Sequence, residues 1–261
     1  MANKRRIDVL MVERGLAESR ATAQRLVMAG QVRVEGQPVS KPSQRVDPGQ
    51  EIRIDPGPRF VSRGGEKLAH ALEAFSIDVA TKICADVGAS TGGFTDCLLQ
   101  HGAARVYALD VGRGILHWRV RQDERVVVME GVNARYQDRL PEPIEIAVID
   151  AAFISLELLL PVVRGWLSER GQVVALIKPQ FEAGREAVGR SGVIRDPEIH
   201  RQVVEKVLVA SSATGLVPQG LLRSPLTGPK GNAEFLLWSV VGGFARPEAD
   251  MLRGLFGPQA D

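Results

Sequence analysis

Four charged residues stand where apolar runs begin or end, and their types suit proton chemistry. Lys178 follows Val173-Val174-Ala175-Leu176-Ile177, and Pro179 halts that run. Asp150 closes the run from Ile144 to Ile149. Glu234 opens Phe235-Leu236-Leu237-Trp238, and Lys67 lies in Ser62-Arg63-Gly64-Gly65-Glu66-Lys67-Leu68. Charges bracketed by apolar residues are expensive to bury alone. Two ammonium and two carboxylate groups can neutralise one another in one cleft. Crowded ammonium groups and desolvation lower a lysine pKa, and carboxylates raise it. A lysine near neutrality can take the proton of a sugar hydroxyl. Taken singly, a strand-end lysine is a surface residue and a lone aspartate is a cap. Spacing alone does not show that the four converge.

A second constellation reads Ala85-Asp86-Val87-Gly88-Ala89-Ser90-Thr91-Gly92-Gly93-Phe94. Gly88 permits a tight turn, and Gly92 and Gly93 let ligand and backbone approach at a helix start. The spacing departs from the dinucleotide pattern G-x-G-x-x-G. A pyrophosphate would gain from that helix N-terminus, but the strand-end carboxylate of Asp86 would repel it. A carboxylate there suits a ligand carrying an amino group. The next run, Arg105-Val106-Tyr107-Ala108-Leu109-Asp110, also ends in an acid. An acid about 20 residues beyond such a loop commonly bonds ribose hydroxyls. The pair specifies a nucleoside with an ammonium and no phosphate, which describes S-adenosylmethionine. Ala89, Ser90, Phe94 and Val111 flank these positions and are assigned to the same site. Asn133, after a third apolar run, offers its amide to an adenine edge. The alternative is a glycine-rich turn used only for packing.

The elements that must hold these residues alternate. Strands are expected near 83–88, 105–110, 126–130, 145–150, 172–178, 217–222 and 233–240. Amphipathic helices fit 65–75, 93–101, 155–168 and 197–213. Such alternation means an α/β domain, a seven-stranded and mostly parallel sheet covered on both faces. Ligands of such sheets bind at the carboxyl ends of the strands, where the acids and lysines above fall. This domain is expected over 61–241, with 242–261 as an irregular or weakly helical tail.

Residues 1–60 differ in composition. Ile7, Leu10 and Met11 recur at helical spacing until Gly15; Ser19 caps a second helix closed by Gly30. Gln31 to Val34 alternates as a strand, Glu35-Gly36 turns it, and Ile52 and Ile54 mark another. The result is a small α+β domain, followed by the stiff Pro56-Gly57-Pro58. Net charge is +2 for 261 residues, yet uneven. The first sixty residues hold eleven Lys and Arg against seven Asp and Glu. Such a module meets phosphate, or is merely a solvated surface.

Composition sets further limits. With 44% apolar and 25% charged residues, this is globular material. Its apolar runs fall short of the roughly 20 residues of a bilayer span, and the charged N-terminus lacks the apolar core of a signal peptide. Cys84 and Cys97 read as free buried thiols in a reducing cytosol. The four histidines are scattered, with no metal-ligand spacing. No membrane partner and no metal are expected.

Two resemblances sharpen the expectation. The stretch Leu16 to Gln24, with Gly30 to Gly36 and Lys41-Pro42, resembles the RNA-binding module named after the fourth protein of the small ribosomal subunit. That likeness implies a grip on RNA backbone, with Arg6, Arg20 and Lys41 as its contacts. Arg63 at the domain junction and Arg135 near the cofactor cleft would add to it. Lys67, Asp150, Lys178 and Glu234 match in order and context the tetrad of the FtsJ-type ribose 2′-O-methyltransferases. With SRGGEKL, DVGASTGGFTDCLL, LDVGRG, DAAFISL, LIKPQFE and GNAEF, the chain from 5 to 240 looks like the TlyA family, once called haemolysin A-like. The resemblance implies a Rossmann-like class I methyltransferase fold and methylation of cytidine 2′-hydroxyls in ribosomal RNA. Lys178 would then be base or hydroxyl orienter, Asp150 and Lys67 would tune it, and Glu234 would complete the network. Asp150 would also border the cofactor. The chain departs from the family at Ala151-Ala152, where valine or leucine then serine is usual, and at Arg113, where tyrosine is frequent. Other readings are a non-catalytic RNA-binding or ribosome-assembly factor, a haemolysin, and a methyltransferase for small molecules or proteins.

Overall fold

The computed structural model describes residues 4–184, 187–189 and 192–257. The chain divides into two compact units, Met1–Arg59 and Phe60–Asp261.

The first unit runs β1 (Arg5–Arg6), α1 (Ile7–Glu13), α2 (Arg20–Met28), β2 (Val32–Val34), β3 (Gln37–Pro38), β4 (Arg45–Val46) and β5 (Ile52–Ile54). The Ser19 side chain accepts from the Thr22 N–H at 3.2 Å, as an N-cap should. Glu35 and Gly36 both take positive φ, 48° and 75°, which joins β2 to β3 by a tight hairpin. Ile7, Leu10, Met11, Ala23, Val27, Val32 and Val46 form its core. Asp8 lies in that core, fully buried. Arg6 meets it through two bonds of 2.9 and 3.0 Å, and Arg20 and Gln24 through one each of 2.9 Å. The guanidinium of Arg6 leads in holding the Asp8 carboxyl far below the usual carboxylate range.

The second unit begins with α3 (Gly64–Ala74), β6 (Ile83–Val87), α4 (Gly93–Gln100), β7 (Arg105–Asp110), α5 (Trp118–Arg121) and β8 (Val126–Glu130). It continues with β9 (Ile144–Ile149), α6 (Leu156–Trp166), β10 (Leu167–Ile177), α7 (Pro179–Glu182), α8 (Pro197–Ala213), β11 (Leu216–Arg223), β12 (Phe235–Val241) and α9 (Glu248–Phe256). Seven strands form one sheet in the order β11-β12-β10-β9-β6-β7-β8. From β8 to β10 all neighbours are parallel; β12 runs antiparallel to β10 and β11. Ile146, Ala147, Val148 and Ile149 of β9 are fully buried, as a strand covered on both faces requires. The strand order reverses between β6 and β9, so the carboxyl ends of these strands frame a crevice.

One expectation is corrected and another is narrowed. The fifth large strand begins at Leu167 rather than near 172, because α6 passes into β10 without a loop and a bulge absorbs the polar stretch before Gln172. Of the two forms expected after 241, irregular or weakly helical, the chain takes the helical one. Asp250 and Glu248 start α9, which buries Leu252 and sets Phe256 5.5 Å from Phe235. Residues 258–261 lie outside the described residues. Among the described residues no helix is long and apolar enough to cross a membrane, and no cluster could hold a metal ion.

Candidate active site

The loop after β6 is built by backbone conformations that few side chains accept. Gly88 has φ 85°, and a Cβ there would stand 2.8 Å from the Asp150 carbonyl oxygen. The end of β9 therefore closes directly on the turn. Gly92, at φ 92°, occupies the N-cap of α4. Ser90 takes φ 49° and donates its N–H to Asp110 Oδ2 at 2.8 Å. The other oxygen of Asp110 accepts from Gly112 N–H at 2.7 Å. Asp110 thus ties the glycine loop to the loop after β7.

These loops line a cleft of about 720 Å³. Gly88, Ala89, Ser90, Gly93, Phe94, Asp110, Val111, Asn133 and Asp150 all reach it. Asn133 caps a short 3-10 turn through its side-chain oxygen, which accepts from Arg135 N–H at 3.0 Å. Its NH2 group and the second lone pair of that oxygen stay open to an adenine edge. Gly92 and Asp86 do not line the cleft. Asp86 was expected to meet a ligand amino group directly, but its side chain is fully buried beneath the loop. Thr95 Oγ1 donates to its Oδ2 at 2.6 Å, while Oδ1 has no hydrogen-bond partner. Burial, with Asp150 and Asp110 nearby, pushes its carboxyl up to about 7 against the opposing Thr95 bond. An unpartnered carboxylate oxygen under the floor, a carboxylate at the rim and a turn with no room for Cβ suit a cationic nucleoside. They fit S-adenosylmethionine.

The other wall carries the proton-bearing groups. Lys178, at the end of β10, places Nζ 2.6 Å from Asp150 Oδ1 and 3.4 Å from the Asp150 carbonyl oxygen. Lys67 is buried on α3 and donates to Glu234 Oε2. Lys67, Asp150 and Lys178 line the cleft; Glu234 sits behind Lys67. The four converge as two ion pairs. Arg63 donates to the Thr227 carbonyl at 3.0 Å, and Thr227 and Pro229 complete this wall.

Other features escaped the sequence. Phe153 lines the mouth, 89% exposed and in a left-handed conformation at φ 62°. Its ring lies 4.9 Å from that of Phe181, and Lys178 Nζ is 5.9 Å from the Phe181 ring. The pattern Ala151-Ala152-Phe153 signals a break in the strand but not an exposed ring. Ile115 and Val132 add apolar lining, and nothing in their spacing marks them. Of the remaining basic candidates, Lys41 is exposed with no carboxylate paired to it among the described residues, and Arg135 lies 5.5 Å over the Tyr136 ring.

Residues 60–240 match the FtsJ-like methyltransferase family, and residues 5–52 match the S4 domain. The Bacillus subtilis protein YqxC, a candidate rRNA methyltransferase, is 48% identical over 97% of this chain and 93% of its own length. The Mycobacterium tuberculosis 16S/23S rRNA (cytidine-2′-O)-methyltransferase TlyA is 45% identical over 91% of this chain and 90% of its own. A solved structure from Streptococcus thermophilus, described as that of a candidate hemolysin, superposes with a TM-score of 0.74 at 42% identity. It covers 98% of this chain and 95% of that one.

Proposed function

Because the chain belongs to the FtsJ-like methyltransferase family and carries an S4 domain ahead of it, we propose that it methylates the 2′-hydroxyl of cytidine in ribosomal RNA. The donor is S-adenosylmethionine, which when bound supplies an electrophilic sulfonium methyl group. The observation that carries the reading is the Lys178–Asp150 pair, 2.6 Å apart, in the same cleft as the glycine loop and Asp110.

The residues divide the work. Gly88, Ala89, Ser90, Gly93, Phe94, Asp110, Val111 and Asn133 hold the donor, with Asp86 supplying negative charge from below and Gly92 starting α4. Lys178 meets the 2′-hydroxyl either as its orienter, in the ammonium form paired with Asp150, or as its base, once the amine has given up its own proton and can accept that of the hydroxyl. Asp150 fixes the lysine head by side chain and carbonyl. The buried Lys67–Glu234 pair fixes the wall behind it. Most of the acceleration is positioning, with modest base catalysis added. The 2′-hydroxyl is what separates RNA from DNA, and bases presented for such chemistry are unstacked or flipped. The exposed Phe153 ring at the mouth offers an unstacked base an apolar face.

The S4 domain grips RNA by its backbone. Lys41 is open to phosphate, and Arg6 and Arg20 remain partly exposed while clamping Asp8. Arg63 and Arg135 are the exposed basic contacts of the methyltransferase unit. A ribosomal substrate places the work in the cytoplasm. Lys178→Ala should abolish methyl transfer to ribosomal subunits while leaving donor affinity within about twofold of the parent. Near-normal turnover in that variant, measured with isotopically labelled donor, contradicts the assignment.

A further inference from the structure

Glu182 ends the short helix α7, four residues beyond Lys178, and only 6% of it is exposed. Neither oxygen faces the cleft chemistry. Ser155 Oγ donates to Oε2 at 2.6 Å, and Leu156 N–H donates to Oε1 at 2.8 Å. Both donors lie 26 or 27 residues away, just after the segment that Asp150 opens. A buried carboxyl is expensive unless its acceptors are met, and here two strong donors meet it. The N-terminus of α6, where Ser155 also caps Glu157 N–H at 3.2 Å, favours negative charge as well.

The carboxylate therefore staples two catalytic strand ends to each other. One carries Asp150 and then Phe153; the other carries Lys178 and then Phe181. Phe153 lies midway in the stapled segment with φ 62°. That conformation is costly for a residue with a side chain and persists only where the surroundings impose it. Asp150 is held on one side of Phe153 by its N–H bond to the Val87 carbonyl at 2.9 Å. Ser155 and Leu156 are held on the other side by Glu182. The strained residue is fixed at both ends.

We propose that Glu182 is a positioning residue: through Ser155 and Leu156 it holds the Asp150–Ser155 segment so that Phe153 stands against Phe181 at the cleft mouth and seats the acceptor nucleoside. This rests on the RNA-methylating function proposed above. It predicts that Glu182 acts on the acceptor and not on the donor, because its two bonds touch neither the glycine loop nor Asp110.

The test compares Glu182→Ala, Phe153→Gly and the double variant in the full-length protein, with ribosomal subunits as acceptor and labelled donor. Glycine accepts the positive φ and removes the ring. Glu182→Ala should lose on the order of tenfold to a hundredfold in kcat/KM for the acceptor, with donor affinity unchanged. Glu182→Gln should fall between, since its carbonyl still accepts from Leu156 N–H while its NH2 cannot accept from Ser155. The double variant should lose no more than the worse single variant, because both changes release the same ring. Losses that multiply, or wild-type kinetics in Glu182→Ala, overturn the proposal. Should Glu182→Ala fail to fold, Glu182→Gln and Ser155→Ala support the same comparison. A parent protein that transfers no methyl to RNA counts against the function itself.

Discussion

At the scale of single residues, the chemistry was legible wherever a charge interrupts an apolar run. Lys178 and Asp150 end adjacent parallel strands whose last pair is Ala175 with Ile149, so register leaves them two residues apart on one face and the ion pair closes the gap. Asp86 was harder, because β6 is buried on both faces and alternation gives no sign of which way its side chain points. Its burial has a measurable consequence. Burial raises the folded carboxyl to about 7, above its unfolded value of about 3.9. The folded state then binds more protons between these values, so this group contributes stability at low pH that is lost as pH rises towards 7. Melting temperatures of the donor-free protein should show that decline relative to Asp86→Asn, where the difference between pH 5 and pH 7.5 should shrink. A cationic donor favours the ionised form, so donor affinity should tighten from pH 6 to 8 in the parent and stay flat in Asp86→Asn. Equal profiles for the two proteins contradict the role given to Asp86.

At the scale of elements, periodicity gave α3, α4, α6 and α8 to within two residues, while the short α5 and α7 and the loops that finish the site carried no such signal. The polar run Glu169-Arg170-Gly171 falls between the expected helix and the expected strand, yet a bulge keeps it in β10. The stripe Met251, Leu252, Leu255 and Phe256 makes α9 packable, although the glycines around it argue for irregular chain. The loop between β11 and β12 was read only at Glu234. Its fold depends on Gly228, whose N–H donates to the Asn232 carbonyl at 2.9 Å. A Cβ on Gly228 would stand 2.7 Å from Glu234 Oε1. Gly228→Ala should therefore displace the Glu234 carboxylate from Lys67 and cut methyl transfer about tenfold or more. The melting temperature should fall as well, since Gly228, Asn232 and Glu234 are buried and a displaced carboxylate leaves Lys67 without its partner. Full activity in that variant would mean that the Lys67–Glu234 pair is dispensable.

At the scale of the whole molecule, the uneven charge of the sequence corresponds to a division of labour between two units with separate cores. Much of the basic charge in the first unit is engaged internally: Arg33 pairs with Asp55, Arg5 with Glu13, and Arg6 and Arg20 with Asp8. Charge counting overstated the cations open to phosphate for that reason. RNA affinity should fall steeply with salt, and Lys41→Ala should reduce the slope of log K against log salt by about one phosphate contact. A slope unchanged by that substitution removes Lys41 from the interface. The proposed reaction joins a methyl donor to a ribose hydroxyl of RNA in one cleft. The direct measurement incubates the protein with methyl-labelled S-adenosylmethionine and ribosomal subunits, then maps the labelled nucleotide. Label is expected on the 2′-oxygen of a cytidine, absent with Lys178→Ala. Label on a base or on protein, or label retained in Lys178→Ala, would contradict it.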